Sequence, residues 1–256
     1  MRTPLDGRTI AAIFAHPDDE SFATGGLLAA SALLGARVVV ITATRGEGGT
    51  DRRGRGRTPE EIAAIRGREL HLACEALGAE SPIQFGFADG SLPEEAGIAE
   101  MLAATLKAID PHVVVTFGPD GAYGHRDHIA LTSEVLAAFD ALPMAEHRRL
   151  LHTAFPPGHF KAFHDRLRDH APECLESPAS FGTARDLVNW VFPLQGITHR
   201  KRAAIEAHAS QLGQALPLDF LGPGAMAPLL NEEWYVVAAG QSFPETPITS
   251  AFEGLP

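Results

Sequence analysis

The sequence places a histidine and three acidic residues together at His16-Pro17-Asp18-Asp19-Glu20, directly behind an apolar run ending in Phe14-Ala15. His16 and Asp19 are three residues apart, so one helical turn aims both at a single point. An imidazole and a carboxylate so placed are part of a shell for zinc or a similar divalent metal. Asp18 leaves the turn in another direction, free to take a proton from an attacking water. Pro17 suits the first turn of a helix, because that position needs no N–H and the ring fixes φ. Acidic residues at a helix start also favour the helix dipole. Capping accounts for one of them, not for three in a row behind a histidine.

A second cluster is Gly118-Pro119-Asp120-Gly121-Ala122-Tyr123-Gly124-His125-Arg126-Asp127-His128. His128 completes a shell of two histidines and one aspartate with His16 and Asp19, leaving an open position, as a catalytic zinc site requires. Asp127 and His125 read as a carboxylate–imidazole pair. The carboxylate is expected to hold His125 charged, ready to stabilise an oxyanion or protonate a leaving amine.

Both clusters follow runs that read as strands. β-Branched or apolar runs occur at residues 9–14, 37–42, 82–87 and 112–117, with alanine-rich helical stretches at 22–34, 59–77 and 93–109. This alternation predicts an α/β protein, Rossmann-like, with a doubly wound, mostly parallel sheet and helices on both faces. In such a sheet ligands gather beyond the carboxyl ends of strands, where both clusters fall. A further strand is expected near 150–155, a helix at 199–212 and a late strand at 234–239. The stretch 143–198, rich in proline and histidine, reads as a divergent insertion of loops and helices in a single domain spanning residues 1–256.

Composition limits the partners. The 256 residues are 45% hydrophobic and 21% charged, with a net charge of −11. That balance provides one sizeable core and disfavours nucleic acid or anionic membrane as a partner. Cys74 and Cys174 are too few for a disulfide framework or a thiolate zinc site. There is no signal-peptide run, and no stretch of about 18 apolar residues long enough to span a membrane. The expectation is a soluble, cytoplasmic protein.

Taken together, Ala15-His16-Pro17-Asp18-Asp19-Glu20, Gly25-Gly26 and His125-Arg126-Asp127-His128 resemble the LmbE-like/PIG-L family of metal-dependent N-deacetylases. Further matches are Thr44-Arg45-Gly46-Glu47-Gly48-Gly49, Arg66-x-x-Glu69-Leu70, Asp89-Gly90-Ser91-Leu92 and Lys201 through His208-Ala209-Ser210-Gln211. Arg126 stands where other members often have proline. The resemblance implies an LmbE-like fold and removal of an N-acetyl group from an N-acetylglucosamine-type sugar or glycoconjugate. It makes His16, Asp19 and His128 the zinc ligands and Asp18 the general base. It makes His125, oriented by Asp127, the stabiliser of the tetrahedral intermediate or the acid. Tyr123 falls where a mobile tyrosine polarises the amide carbonyl, and Arg66 where an arginine binds a polar or anionic aglycone. Arg45 and Glu47, in the loop after the second strand, are candidate substrate contacts, although Glu47 also suits capping of its own loop. His and carboxylate ligands suit ferrous iron as well as zinc. The family often forms small oligomers.

Two alternatives stay open: an amidase on a larger amide such as a thiol–sugar conjugate, and a non-catalytic metal-binding protein. A two-metal phosphoesterase needs more bridging carboxylates than the chain offers. Residues 51–57 read as a solvated basic loop or as a lid over an anionic substrate. His208 and Cys74 read as buried packing residues, and Trp190 and Trp234 as aromatic core. No role is assigned to the histidines between 147 and 170.

Overall fold

The computed structural model describes residues 3–49, 56–169, 171–176, 182–212, 226–245 and 247–256. Residues 51–55 of the basic loop lie outside the described residues.

The first half alternates as expected: β1 (Thr9–Phe14), α1 (Asp19–Leu33), β2 (Arg37–Thr44), α2 (Pro59–Leu77), β3 (Ile83–Phe87), α3 (Ile98–Ile109) and β4 (Val113–Phe117). A short helical turn, α4 (Gly121–Gly124), leads into α5 (Arg126–Asp140) and β5 (Arg149–Ala154). The remainder holds α6 (Lys161–Arg168), β6 (Trp190–Pro193), α7 (Thr198–Ala207), α8 (Met226–Asn231) and β7 (Glu232–Gly240). The seven strands form one sheet in the order β3-β2-β1-β4-β5-β7-β6. β1 to β5 pair in parallel, and β7 runs antiparallel to both its neighbours.

Strand alternation sends successive side chains to opposite faces, and two apolar clusters result. Ile10, Ala12, Phe14, Val38 and Val40 pack with Leu27 of α1, Leu70 and Leu77 of α2, and Ile205 of α7. Ala11, Ile13, Val39 and Ile41 pack with Leu102 and Leu106 of α3 and Leu131 and Val135 of α5. Each fully buried Val, Leu, Ile or Phe among them contributes about 1.5–3 kcal/mol. Helix α2 starts where Thr58 and Glu61 form a reciprocal capping box ahead of Pro59.

Most boundaries move by one to three residues, as at α1, β2 and β7, and three differences have a local cause. The helix expected over 93–109 is a 3-10 turn at Leu92–Glu94 followed by α3, because Gly97 takes φ +82° and the chain restarts there. The helix expected over 199–212 ends at Ala207, where His208 departs from helical geometry with ψ 49°. Pro17 precedes α1 instead of entering its first turn.

Glu233 of β7 locks α1 and α7 to the sheet. Its carboxylate accepts from Lys201 Nζ (2.7 Å), the Gly26 and Leu27 amides (2.8 Å each) and Tyr235 Oη (2.7 Å). A buried carboxylate that accepts from four donors on three elements fixes the position of α1, and so of the acidic turn at its start.

Candidate metal centre and active site

β1 and β4 are adjacent parallel strands, and the order reverses between them, so the two sequence clusters meet at a topological switch point. Asp18 caps α1 with φ +118°, a left-handed conformation that costs a non-glycine residue about 1–3 kcal/mol. Several bonds hold it there. Its amide donates to Glu20 Oε2 (3.0 Å) and its carbonyl accepts from Ser21 and Phe22 (3.0 and 3.2 Å). Its carboxylate lies 3.3 Å from Arg66 Nη2. Burial pushes the Asp18 carboxyl up to about 6, with Arg66 opposing the rise.

His16 Nδ1, Asp19 Oδ2 and His128 Nε2 converge. The three separations are 3.3 Å (His16–Asp19), 3.4 Å (His128–Asp19) and 3.2 Å (His128–His16). The opposite nitrogen of each ring faces only acceptors. His16 Nε2 meets Asp127 Oδ2 (3.2 Å) and Asp89 Oδ1 (3.1 Å), and His128 Nδ1 meets the Gly121 carbonyl (3.2 Å). With a cation on the other side of the rings, those nitrogens carry the protons; without one, burial lowers the His16 pKa but Asp89, Asp127 and Asp19 outweigh it and raise it well above its ordinary value. His16 Nδ1, His128 Nε2 and Asp19 Oδ2 are thus three ligand atoms grouped around one point. A tetrahedral shell with bonds of about 2.0–2.1 Å has ligand–ligand edges of about 3.3 Å. The triad therefore fits zinc or ferrous iron on both distance and donor type. His16, His125 and His128 form another group close enough to share an ion, as do His16, Asp89 and Asp127. In the latter, a single His16 N–H already serves both carboxylates.

The expected pairing of Asp127 with His125 is not what the structure builds. The Asp127 carboxylate is taken up by His16 Nε2 and by the Gly90 and Leu92 amides (2.8 and 3.1 Å). The contact to His125 runs through the Asp127 backbone, whose N–H donates to His125 Nδ1 (3.2 Å). His125 is also not held charged: burial, aided by His16, lowers its pKa to about 3. A neutral ring accepting at Nδ1 carries its proton on Nε2. Burial and the carboxylates of Asp19 and Asp18 push the Tyr123 phenol well above its ordinary value, so it too is a neutral donor.

Arg66, expected to bind an aglycone, is 4% exposed. Its guanidinium donates to the Pro17 and Gly46 carbonyls and faces Asp18, bracing the acidic turn from the cavity wall. Gly46 is required beside it, since a Cβ there sits 2.4 Å from the guanidinium carbon. Arg45 and Glu47 do not line this cavity. They border a separate groove with Pro59 and Gln84, and one Glu47 oxygen accepts the Asp89 amide (2.9 Å).

Three residues outside the expected site set join it, His208 among them as a hydrogen-bonded partner and not a packing residue alone. Asp89 accepts from His16, and its carboxyl is held well below the usual range by His16 despite burial, which alone raises it. His208 bonds Glu20 at 2.8 Å, one step from Asp18. His164 Nδ1 donates to the Tyr123 carbonyl (2.7 Å). Asp89 and His208 lay in matched motifs; His164 had no spacing to mark it.

The cavity over these groups holds about 220 Å³ and is lined by His16, Asp18, Asp19, Arg66, Asp89, Tyr123, His125 and Gln211 together with several phenylalanines. Among the described residues no helix is long and apolar enough to cross a membrane.

Known proteins share this architecture. The family model described as GlcNAc-PI de-N-acetylase (PIG-L) matches residues 11–139. A 1D-myo-inositol 2-acetamido-2-deoxy-alpha-D-glucopyranoside deacetylase from Nakamurella multipartita is 30% identical, with 93% of this chain and 92% of that protein covered. Two solved structures show the fold. The N,N'-diacetylchitobiose deacetylase of Pyrococcus horikoshii has a TM-score of 0.63 at 21% identity, covering 94% of this chain and 88% of that one. A 4-carboxy-2-hydroxymuconate hydratase from Pseudomonas putida has a TM-score of 0.65 at 16% identity, covering 94% and 100%. With the family model spanning half the sequence and a relative aligned over nearly all of it, the chain belongs to the PIG-L de-N-acetylase family, enzymes of the amide-hydrolysing class.

Proposed function

We propose that the protein is a zinc-dependent N-deacetylase acting on a glucosamine-type sugar amide, with a glucosaminyl-inositol conjugate as the first candidate. The observation that supports this reading most is the convergence of His16 Nδ1, Asp19 Oδ2 and His128 Nε2 at 3.2–3.4 Å beside the Asp18 carboxylate. A divalent ion held by these three residues supplies Lewis acidity, acidifying water and polarising the amide carbonyl.

The chain's own groups do the rest. Asp18, strained into the cavity and with its carboxyl near 6, takes the proton of the attacking water. The water oxygen adds to the acyl carbon. Tyr123 Oη–H and His125 Nε2–H are the donors for the oxyanion, both neutral and aimed from fixed backbone. Because His125 is neutral, the proton delivered to the departing nitrogen is the one Asp18 has taken. The C–N bond then breaks, giving a carboxylate and a free amine. Asp127 and Asp89 orient His16 from behind.

The test is amine release by zinc-loaded protein from N-acetylglucosamine, diacetylchitobiose and the N-acetylglucosaminides of inositol and malate. Chelator-sensitive release supports the reading. No release from any of the four, with metal bound, rejects it in favour of an amidase on a larger amide or a non-catalytic metal-binding protein.

A further inference from the structure

The cavity beside Asp18 has two unlike walls. One is polar: the Gly48–Gly49 backbone, Arg66, Asp89 and Gln211. The other is Phe155, Phe160, Phe163, Leu167 and Leu175, all from the segment between β5 and β6. The apolar wall starts at Tyr123. That ring meets Phe163 edge-on with centroids 4.9 Å apart, and Phe160 in turn meets Phe155 at 4.7 Å. Main-chain bonds tie the segment to the turn that carries Tyr123 and His125. The Glu176 amide donates to the Gly124 carbonyl (2.7 Å), Leu175 pairs with His125 as an isolated antiparallel bridge, and His164 holds the Tyr123 carbonyl (2.7 Å). The wall is thus positioned as firmly as the donors themselves.

An amide has two substituents to place. A sugar on the nitrogen side brings hydroxyls, which the polar wall can pair. The acyl side is left for the aromatic wall, and an acetyl group offers it one methyl. Phe155, Phe160 and Phe163 are buried, and the ring edges they turn to the cavity are where apolar ligand atoms belong.

We propose that the acyl site takes a straight-chain N-acyl group longer than acetyl, laid along Phe155, Phe160, Phe163 and Leu167. This rests on the amide-hydrolase reading above and specifies its acyl group. The reaction is unchanged: water adds to the acyl carbon, the C–N bond breaks, and a medium-chain carboxylate and a free amine leave.

The experiment is amine release by the zinc-loaded enzyme from a glucosamine glycoside bearing N-acetyl, N-butyryl, N-hexanoyl or N-octanoyl groups, beside an N-acetyl octyl glycoside. Each buried methylene is expected to raise kcat/KM about fourfold until the wall is covered. Leu167→Gln and Ala171→Phe, both at partly exposed cavity positions, should each lower the hexanoyl-to-acetyl ratio of kcat/KM by about tenfold or more. A kcat/KM highest for N-acetyl and falling with chain length overturns the proposal while leaving a deacetylase. A gain confined to the octyl glycoside also overturns it, assigning the wall to an aglycone. Silence across all five substrates rejects the amide-hydrolase reading itself.

Discussion

The carboxylate of Asp127 sits 3.2 Å from Nε2 of His16, 111 residues earlier in the chain, while the Asp127 backbone N–H reaches His125. One aspartate thereby sets the proton on two histidines. It fixes the N–H of His16 on the side away from the proposed metal, and the N–H of His125 on the side away from its own amide. The central triad and the proposed oxyanion donor are coupled through this residue.

Replacing Asp127 is therefore expected to act first on the metal. Asp127→Ala should weaken zinc binding about 10–100-fold, as loss of a carboxylate behind a ligating histidine does. Chelator competition measures it. Unchanged zinc affinity with a collapsed kcat would restore the pairing of Asp127 with His125.

Tyr123→Phe keeps the ring that packs on Phe163 and removes the phenol. Removing one preorganised donor should cost about 100-fold or more in kcat with little change in KM. Steady-state kinetics on any accepted N-acyl substrate decide it. A change confined to KM would make Tyr123 a binding residue only.

Asp18 acts as a base only when ionised, so kcat/KM should rise as pH passes upward through its pKa. Burial places that pKa at about 6, with Arg66 pulling it down, and a bound cation lowers it further. Arg66→Met removes one positive charge and should move the acid limb of the profile up by about one pH unit or more. Arg66→Lys should leave the limb near its original place. Identical limbs in all three proteins would separate Arg66 from Asp18.

Glu20 and His208 form a wholly buried pair at 2.8 Å. Burial alone would lower the His208 pKa, but Glu20 outweighs it and the net shift is upward. Burial alone would raise Glu20, but His208 and the bonds from Ser21 and Asp18 bring it below its ordinary value. The histidine's contribution is complete below pH 6.5 and is lost as pH rises through its raised pKa. The glutamate's contribution is complete above pH 4.5 and is lost as pH falls through its depressed pKa. The pair should stabilise the fold most between those two values. His208→Ala, which strands a buried carboxylate, should cost about 3–5 kcal/mol. Urea unfolding of both proteins across pH gives the comparison, and a His208→Ala difference that does not shrink at high pH would contradict the linkage.

Much of the scaffold was legible because strand and helix periods are local properties. The runs behind His16 and before Gly118 showed where two strand ends had to lie, and the parallel pairing of β1 with β4 brought those ends together. The partner of Asp127 was not legible. Nearness in sequence suggested His125, whereas the side-chain direction at the first turn of α5 sends the carboxylate across to His16. Arg45 and Glu47 sit in a matched motif, yet in the loop beyond β2, where Gly46 takes φ +71°, their side chains border the other groove. Arg66 matched as a substrate contact, but burial against the Pro17 and Gly46 carbonyls makes it a brace. The aromatic wall carries no motif. Phe155, Phe160 and Phe163 come together only because the segment after β5 folds back onto the Tyr123 turn.

The most direct test of the central assignment is a paired measurement on Asp18→Ala and His128→Ala: zinc bound per chain, and amine released from the best substrate. Asp18→Ala is predicted to keep its zinc and lose about 100-fold or more of the rate, and His128→Ala to lose both. Normal turnover by Asp18→Ala, or full zinc occupancy in His128→Ala, would contradict it.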